Sequence, residues 1–393
     1  MYLCKIHIQI VLGLCYTFHN GLKPWHDSTG TETVALSTYR EDSINKIEIL
    51  DGSSIMIEHA NGVTSESVNF TKISEANVQL PVTKLQWDPS GTERLITTND
   101  RLKIWEIDYN NQLVERLNLV NGVQHGHNGH SGTTNKPLSL PPLTSFDWNK
   151  VKPNIVITSS IDTTCTVWDI LHPSSPKTQL IAHDSEVFDV QFIKNSAEIF
   201  ASVGNDGSMR VFDLRSLEHS TIIYEPPVIP GVSSTTSLPS STTGPSNALL
   251  RLATSNVDPN VIATFAAKSE SIIILDMRYP GVPTTVLNGH NGPINSIKWH
   301  PTQQKLLSGG DDCQALIWDL TSAKPHPHLH HHHHQQQNSS NSNSAPKNGG
   351  GVVEYPDFAY NDTLEINNVT WNSEGDWIGV VSGKGFQGVK TSV

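Results

Sequence analysis

The sequence predicts an all-β fold, a seven-bladed β-propeller, and three observations carry that prediction. One short strand-turn-strand unit recurs, its recurrences keep one period, and the segments that interrupt the period are polar inserts that cannot supply core.

The unit is clearest at Leu306 to Leu320, LLSGGDDCQALIWDL. An apolar strand ends near Ser308, a tight turn occupies Gly309 to Asp312, and a second strand runs through Leu316 and Ile317 into Trp318-Asp319. The same order occurs at Val156 to Ile170, VITSSIDTTCTVWDI, with Thr158, Asp162 and Trp168 in the places of Ser308, Asp312 and Trp318. At Phe200 to Leu214 the set is Ser202, Asp206 and Phe212, with Phe in the aromatic place. In all three, ten residues separate hydroxyl from aromatic and six separate Asp from aromatic. Ile96 to Ile107 has a shorter turn, with Asn99 still six residues before Trp105. Offsets repeated in this way are more specific than any single Trp-Asp dipeptide.

Residues 1–30 hold an apolar run, Ile6 to Phe18, behind Lys5. It is too short to span a bilayer, is interrupted by His7 and Gln9, and lacks a clear small-residue cleavage site, so an irregular lead is expected there. One domain is expected over 31–393. Thr33 to Leu50 reads as two short strands around a polar turn at Arg40 to Asn45, a degenerate first blade whose first strand is not recognisable. Blade two starts at Val82, VTKLQWDPSG, alternating apolar and polar residues before a turn, and runs to Trp105. Blade three opens with LTSFDWN at Leu143 and closes at Trp168-Asp169. Blade four carries AHDSEVFDVQF from Ala182 and closes at Phe212 to Arg215, FDLR. Blade five runs from Ala248 through VIATFAAK to LDMR at Leu275 to Arg278, with Leu275 in the aromatic place. Blade six begins GHNGPINSIKWHP at Gly289 and ends at Trp318-Asp319. Ile366 to Val393, beginning INNVTWNSEGDWIGVV, supplies the seventh.

The strand-closing residues Trp105, Trp168, Phe212, Leu275 and Trp318 lie 63, 44, 63 and 43 apart. The short intervals match the ~40–45 residues of a WD repeat, and the long ones each contain a polar insert. Surface inserts are expected at about 109–140, 226–247 and 322–357.

In WD repeats a loop His, a strand Ser or Thr, the turn Asp and the strand Trp form a hydrogen-bonded relay within the blade. His290, Ser308, Asp312 and Trp318 can make the full relay, His183, Ser202 and Asp206 one without the indole, and Thr158, Asp162 and Trp168 one without the His. Serine, histidine and aspartate together also suggest a hydrolase triad. A triad occurs once, at a strained elbow such as G-x-S-x-G, whereas this set recurs without one, so no catalytic residue and no enzyme is expected.

Lys and Arg total 26 and Asp and Glu 38, giving a net charge of −12 with no basic cluster in sequence of the kind that tracks phosphate backbones. Direct nucleic-acid binding and membrane association are not expected. Cys4, Cys15, Cys165 and Cys313 form no C-x-x-C, the usage of a reducing compartment. The tracts at His125 to His130 and His326 to His334 lack accompanying Cys or carboxylate ligands, so neither a metal nor any other cofactor is expected.

Between Pro142 and Leu320 the chain resembles the Transparent Testa Glabra family of plant WD-repeat regulators and their animal relatives, the cullin-associated (DCAF-type) WD factors. The resemblance rests on PLTSFDWN at Pro142 to Asn149, TSSIDTTCTVWDI at Thr158 to Ile170, KTQLIAHDSEVFDV at Lys177 to Val190 and FASVGNDGSMRVFDLRSLEHSTIIYE at Phe200 to Glu225. It continues in LLRL at Leu249, DDCQALIWDL at Asp311 and EINNVTW at Glu365. The aromatic N-terminal strand and the closing strand of that family are poorly matched. The resemblance implies a seven-bladed scaffold in nucleus and cytoplasm, holding transcription factors or a dual-specificity kinase, and a monomeric propeller is expected. Its animal branch implies a second role, substrate receptor of a cullin-RING ubiquitin ligase. For that role the candidate rim residues are Phe212, Asp213 and Arg215, with Asp276 and Arg278, which resemble the W-D-x-R ending that engages the ligase adaptor, although Trp is absent from both.

Overall fold

A computed structural model of the protein describes residues 3–7, 17–20, 32–39, 44–58, 64–120, 140–226, 248–321, 351–353, 355–383 and 385–391. Both His tracts, at 125–130 and 326–334, lie outside them. The described residues form seven sheets arranged as a seven-bladed propeller, antiparallel but for one added outer strand.

From the innermost strand outward, blade one is Thr17–Asn20, Glu32–Ser37, Asn45–Glu58 and Thr64–Val78. Blade two is Lys84–Trp87, Arg94–Thr98, Leu102–Ile107 and Leu113–Leu119. Blade three is Leu143–Trp148, Ile155–Ser160, Thr164–Asp169 and Thr178–Ile181. Blade four is Val187–Phe192, Ile199–Gly204, Met209–Asp213 and Ser216–Tyr224. Blade five is Leu249–Thr254, Val261–Ala266, Ser271–Asp276 and Thr285–Asn288, with a fifth strand, Gly351–Val353, paired parallel to its outer edge. Blade six is Ile294–Trp299, Lys305–Gly310, Gln314–Asp319 and Phe358–Asn361. Blade seven is Ile366–Trp371, Trp377–Ser382 and Gly385–Lys390, completed by Leu3–His7.

Several expectations are corrected. The segment before residue 31 is not an irregular lead throughout, because Leu3–His7 pairs antiparallel with Gly385–Lys390 and Thr17–Asn20 with Glu32–Ser37. Blade one is therefore four-stranded and not degenerate: of the two short strands expected around Arg40 to Asn45 the first is the six-residue Glu32–Ser37, while the second is the 14-residue Asn45–Glu58, which pairs with the 15-residue Thr64–Val78. The insert expected from 109 begins only after Leu119, since Leu113–Leu119 forms an outer strand. That expected to end at 357 contains Gly351–Val353. Outer strands escape a sequence search because they touch core on little of their surface: Ser216–Tyr224 is exposed at most positions and is held by its backbone ladder.

The second strand of each blade lies in the middle of its sheet between neighbouring blades. Ile155–Ser160, Lys305–Gly310 and Trp377–Ser382 are buried at every position, which is why, Lys305 apart, they read as apolar, small and hydroxyl runs. The core sits between blades. Ile96, Ile104 and Leu119 of blade two pack with Phe146, Trp148 and Trp168 of blade three, while Cys165 and Val167 of blade three meet Val190 and Phe200 of blade four. Cys165 is thus a packing residue, its thiol pushed up by burial.

Innermost strands face the axis, and in five blades their pairing carries an irregularity at one place, before Ser145, Asp189, Arg251, Ser296 and Asn368. A bulge re-aims the side chain beside it. These five residues, with Lys84 of blade two, line one central channel of about 540 Å3.

Candidate functional site

The polar sets singled out by spacing occupy blade interiors. In blade six, His290 Nδ1 lies 2.9 and 3.0 Å from the two oxygens of Asp312, and Nε2 lies 2.8 Å from Ser308 Oγ. The Trp318 indole N–H donates to the same Ser308 oxygen at 2.9 Å. With Nδ1–H given to the carboxylate, Nε2 accepts the serine proton and the serine oxygen accepts the indole. Asp312 also accepts the backbone N–H groups of Asn291 and Gln314. Burial pushes the His290 imidazole below its ordinary value against the pull of Asp312, so the ring is neutral near pH 7.

Blade four repeats the arrangement. His183 Nδ1 is 3.0 Å from Asp206 and Nε2 is 2.7 Å from Ser202 Oγ. Phe212 supplies no donor and stacks on Phe200, centroids 5.0 Å apart. Ser208 and Arg210 also reach Asp206, whose carboxyl is held low: burial opposes this, and bonds from His183 and Ser208 outweigh it. In blade three the Trp168 indole donates to Thr158 Oγ1 at 3.1 Å, but Asp162 serves its own turn, accepting from the Thr164 N–H and hydroxyl. The structure therefore brings Thr158 and Trp168 together and bonds Asp162 to neither.

Two relays escaped the spacing. In blade two Trp105 donates to Thr97 Oγ1 at 2.9 Å, a hydroxyl eight residues earlier because the turn is shorter. In blade seven Asp362 stands four residues before the innermost strand, the place of His290 in blade six and His183 in blade four. Its carboxylate accepts from the Ser382 hydroxyl at 2.6 Å and the Gln387 amide at 2.8 Å, while Tyr360 O–H donates to Gln387 Oε1 at 2.7 Å. The offset from a strand start was a readable signal, hidden by the change from His to Asp.

The rim candidates sit where the third strands of blades four and five end. Arg215 donates through Nε at 2.9 Å and Nη2 at 2.5 Å to Asp213, and Arg278 makes the same fork to Asp276 at 2.9 and 2.6 Å. Arg278 also lies 3.4 Å from Asp258. Each Asp additionally accepts its Arg's backbone N–H at 2.9 Å, so both are closed D-x-R turns. Bonds from Arg215 hold Asp213 at about 2. The Arg215 side chain is 68 % exposed and that of Arg278 50 %, while Phe212 is buried.

The channel wall carries the least expected polar constellation. Lys84 Nζ donates to Ser145 Oγ at 3.0 Å and lies 3.4 Å from Asp189 Oδ1, which Ser145 also contacts. Asp189 Oδ2 accepts the Leu252 N–H at 3.1 Å, so four consecutive blades share one chain of bonds. Burial would raise the Asp189 carboxyl, yet Lys84, Arg251 and its hydrogen bonds hold it below the ordinary value. One layer along, Gln86, Asp147 and Gln191 each accept a backbone N–H from the next blade, those of Trp148, Phe192 and Thr254. Innermost strands of neighbouring blades do not pair with each other, and these side chains satisfy amides that would otherwise face the axis. Among the described residues no group of three His, Cys, Asp or Glu is placed to hold a metal ion.

A family model described as WD domain, G-beta repeat, matches residues 174–213 and 281–319, the two stretches that contain the His-bearing relays. A WD repeat-containing protein of Saccharomyces cerevisiae is 44% identical over 401 aligned residues, covering 93% of this chain and 74% of the yeast protein. An uncharacterized WD repeat-containing protein of Schizosaccharomyces pombe is 35% identical, covering 92% of this chain and 84% of its own length. The DDB1- and CUL4-associated factor 7 homolog of Dictyostelium discoideum is 35% identical over 364 residues, 91% of each chain.

Proposed function

The chain belongs to the WD40-repeat family, and from that premise we propose that it is a non-enzymatic scaffold assembling regulatory protein complexes. The observation that carries this reading is the state of the serine-histidine-aspartate sets. Ser308 is 0 % and His290 5 % exposed, each polar atom is taken up within the blade, and blade four repeats the set. A substrate has no path to such a serine. What remains for function is a rigid disc, which binds partners with little ordering cost.

The partners proposed are transcription factors or a dual-specificity protein kinase, in line with a Transparent Testa Glabra-like assignment. The protein acts as a monomeric propeller in nucleus and cytoplasm, which fractionation of cells expressing the full chain would test.

A second reading, substrate receptor of a cullin-RING ubiquitin ligase, is favoured by the likeness to a DDB1- and CUL4-associated factor 7 homolog and by the twin Asp-Arg forks. The Arg215 fork, whose Asp213 is itself partly exposed, can exchange that Asp for an acidic partner at small cost, since surface ion pairs are worth only ~0–1 kcal/mol, whereas opening the Arg278 fork costs more because Asp276 is buried. Affinity purification with Arg215→Asp and Arg278→Asp together separates the readings. Loss of the ligase adaptor alone supports the receptor; capture of every wild-type partner supports a scaffold that does not use the forks.

A further inference from the structure

Where the innermost strands end, the channel opens into a second cavity of about 390 Å3. Lys84 and Lys298 stand on its wall, and Lys150 and Lys194 stand on the turns at its rim. Lys150 Nζ donates to Asn256 Oδ1 at 3.3 Å, and Lys194 Nζ donates to the Asn256 carbonyl. Ammonium groups from blades three and four thus converge on one residue of blade five, and both bonds end on neutral oxygens. An ammonium has three N–H donors, so each keeps donors for a ligand.

Among the described residues lining this cavity, Asp147 is the one carboxylate, and its Oδ2 already accepts the Phe192 N–H at 2.8 Å. Lys84 is taken up by Asp189, and Lys150, Lys194 and Lys298 still place three ammonium groups at one mouth, against the character of a chain whose net charge is −12. A cleft in which one sign of charge predominates between low-dielectric walls focuses the field on its mouth.

The turns bearing the rim lysines are fixed before anything binds. Asn149 Oδ1 accepts the Val151 and Lys152 N–H groups at 2.8 Å each, and its Nδ2 donates to the Ser196 carbonyl at 3.1 Å, tying one turn to the other. Ser196 Oγ in turn accepts the Glu198 and Ile199 N–H groups.

We propose that this mouth binds a compact anion carrying several phosphate groups. The charges lie at two depths around a volume of small-ligand size, ~300–1,000 Å3, so such a molecule reaches wall and rim together. An extended acidic peptide lying across the rim meets Lys150 and Lys194 alone. The proposal is independent of the scaffold role, and partner capture can survive its failure.

Titration calorimetry of the full chain with inositol hexakisphosphate, and separately with inorganic pyrophosphate, tests it. The expected result is saturable binding that weakens with salt and is at least ~10-fold weaker in Lys150→Glu with Lys194→Glu, while Lys177→Glu on the exposed edge of blade three matches wild type. Lys150→Gln alone gives an intermediate loss and serves if the double reversal unfolds. Absence of saturable binding by either anion overturns the proposal, as does equal weakening in Lys177→Glu, which would mean general attraction to cations. Binding of a multiply phosphorylated peptide with neither small anion overturns it in favour of peptide docking.

Discussion

Lys84 of blade two and Asp189 of blade four lie 3.4 Å apart inside the channel, 105 residues apart in sequence, with Ser145 of blade three bonded to both. Their side chains are 14 % and 3 % exposed, so removing either partner strands a largely desolvated charge. Asp189→Asn is expected to lower stability by about 3 kcal/mol in chemical denaturation. Lys84→Met combined with Asp189→Asn is expected to cost less than the two separate losses added, because the double variant leaves no charge unpaired.

His290→Ala leaves Ser308 and Asp312 without their bridge in a buried site and is expected to cost ~1–3 kcal/mol. Trp318→Phe removes one donor from Ser308 and keeps the ring, as Phe212 does naturally in blade four, so a smaller loss of about 1 kcal/mol is expected. Thermal melts of the two variants should keep that order.

Burial lowers the imidazole of His290 against the pull of Asp312, and it also lowers that of His300, whose Nδ1 accepts the Thr302 and Gln303 N–H groups. The unfolded chain therefore takes up protons before the folded one as pH falls. The stability these rings contribute is present above the ordinary histidine value of 6.5 and is lost as pH drops through it. His300→Gln is expected to flatten the loss of melting temperature between about pH 7 and about pH 5.

Thr163 and Cys313 follow the turn aspartates of blades three and six with φ of 72° and 63°, where blade four has Gly207 at 78°. A left-handed conformation is unfavourable for a side chain with a β-carbon, most of all a branched one. Thr163→Gly and Cys313→Gly are each expected to stabilise by up to about 1 kcal/mol, since relief of strain exceeds the added freedom of the unfolded chain. Gly375, at φ 83°, is the opposite case, because a β-carbon there would overlap the His300 imidazole. Gly375→Ala is expected to destabilise by about 2 kcal/mol. Equilibrium unfolding of all three variants checks the signs.

Blades three, four and six were legible because their requirements are local: a hydroxyl, an acid and an aromatic at set offsets, with the acid and aromatic closing one hairpin. Thr97 with Trp105 was hidden by a shortened turn, and Asp362 by taking the place that histidine holds elsewhere. Leu3–His7 was illegible for a different reason. Its partner is Gly385–Lys390 at the other end of the chain, and backbone pairing across the ring leaves no pattern in either segment alone. The channel constellation of Lys84, Ser145 and Asp189 is likewise a product of closure, three blades each contributing one residue that is unremarkable in its own strand.

The central claim is that the buried Ser308 relay holds the blade together while function resides on the outer surface of the disc. Affinity purification with mass spectrometry, comparing wild type with Ser308→Ala below the variant's melting transition, tests it most directly. The account predicts the same bound proteins in the same ratios. A variant shown by near-ultraviolet circular dichroism to be folded, yet stripped of those partners, would contradict it.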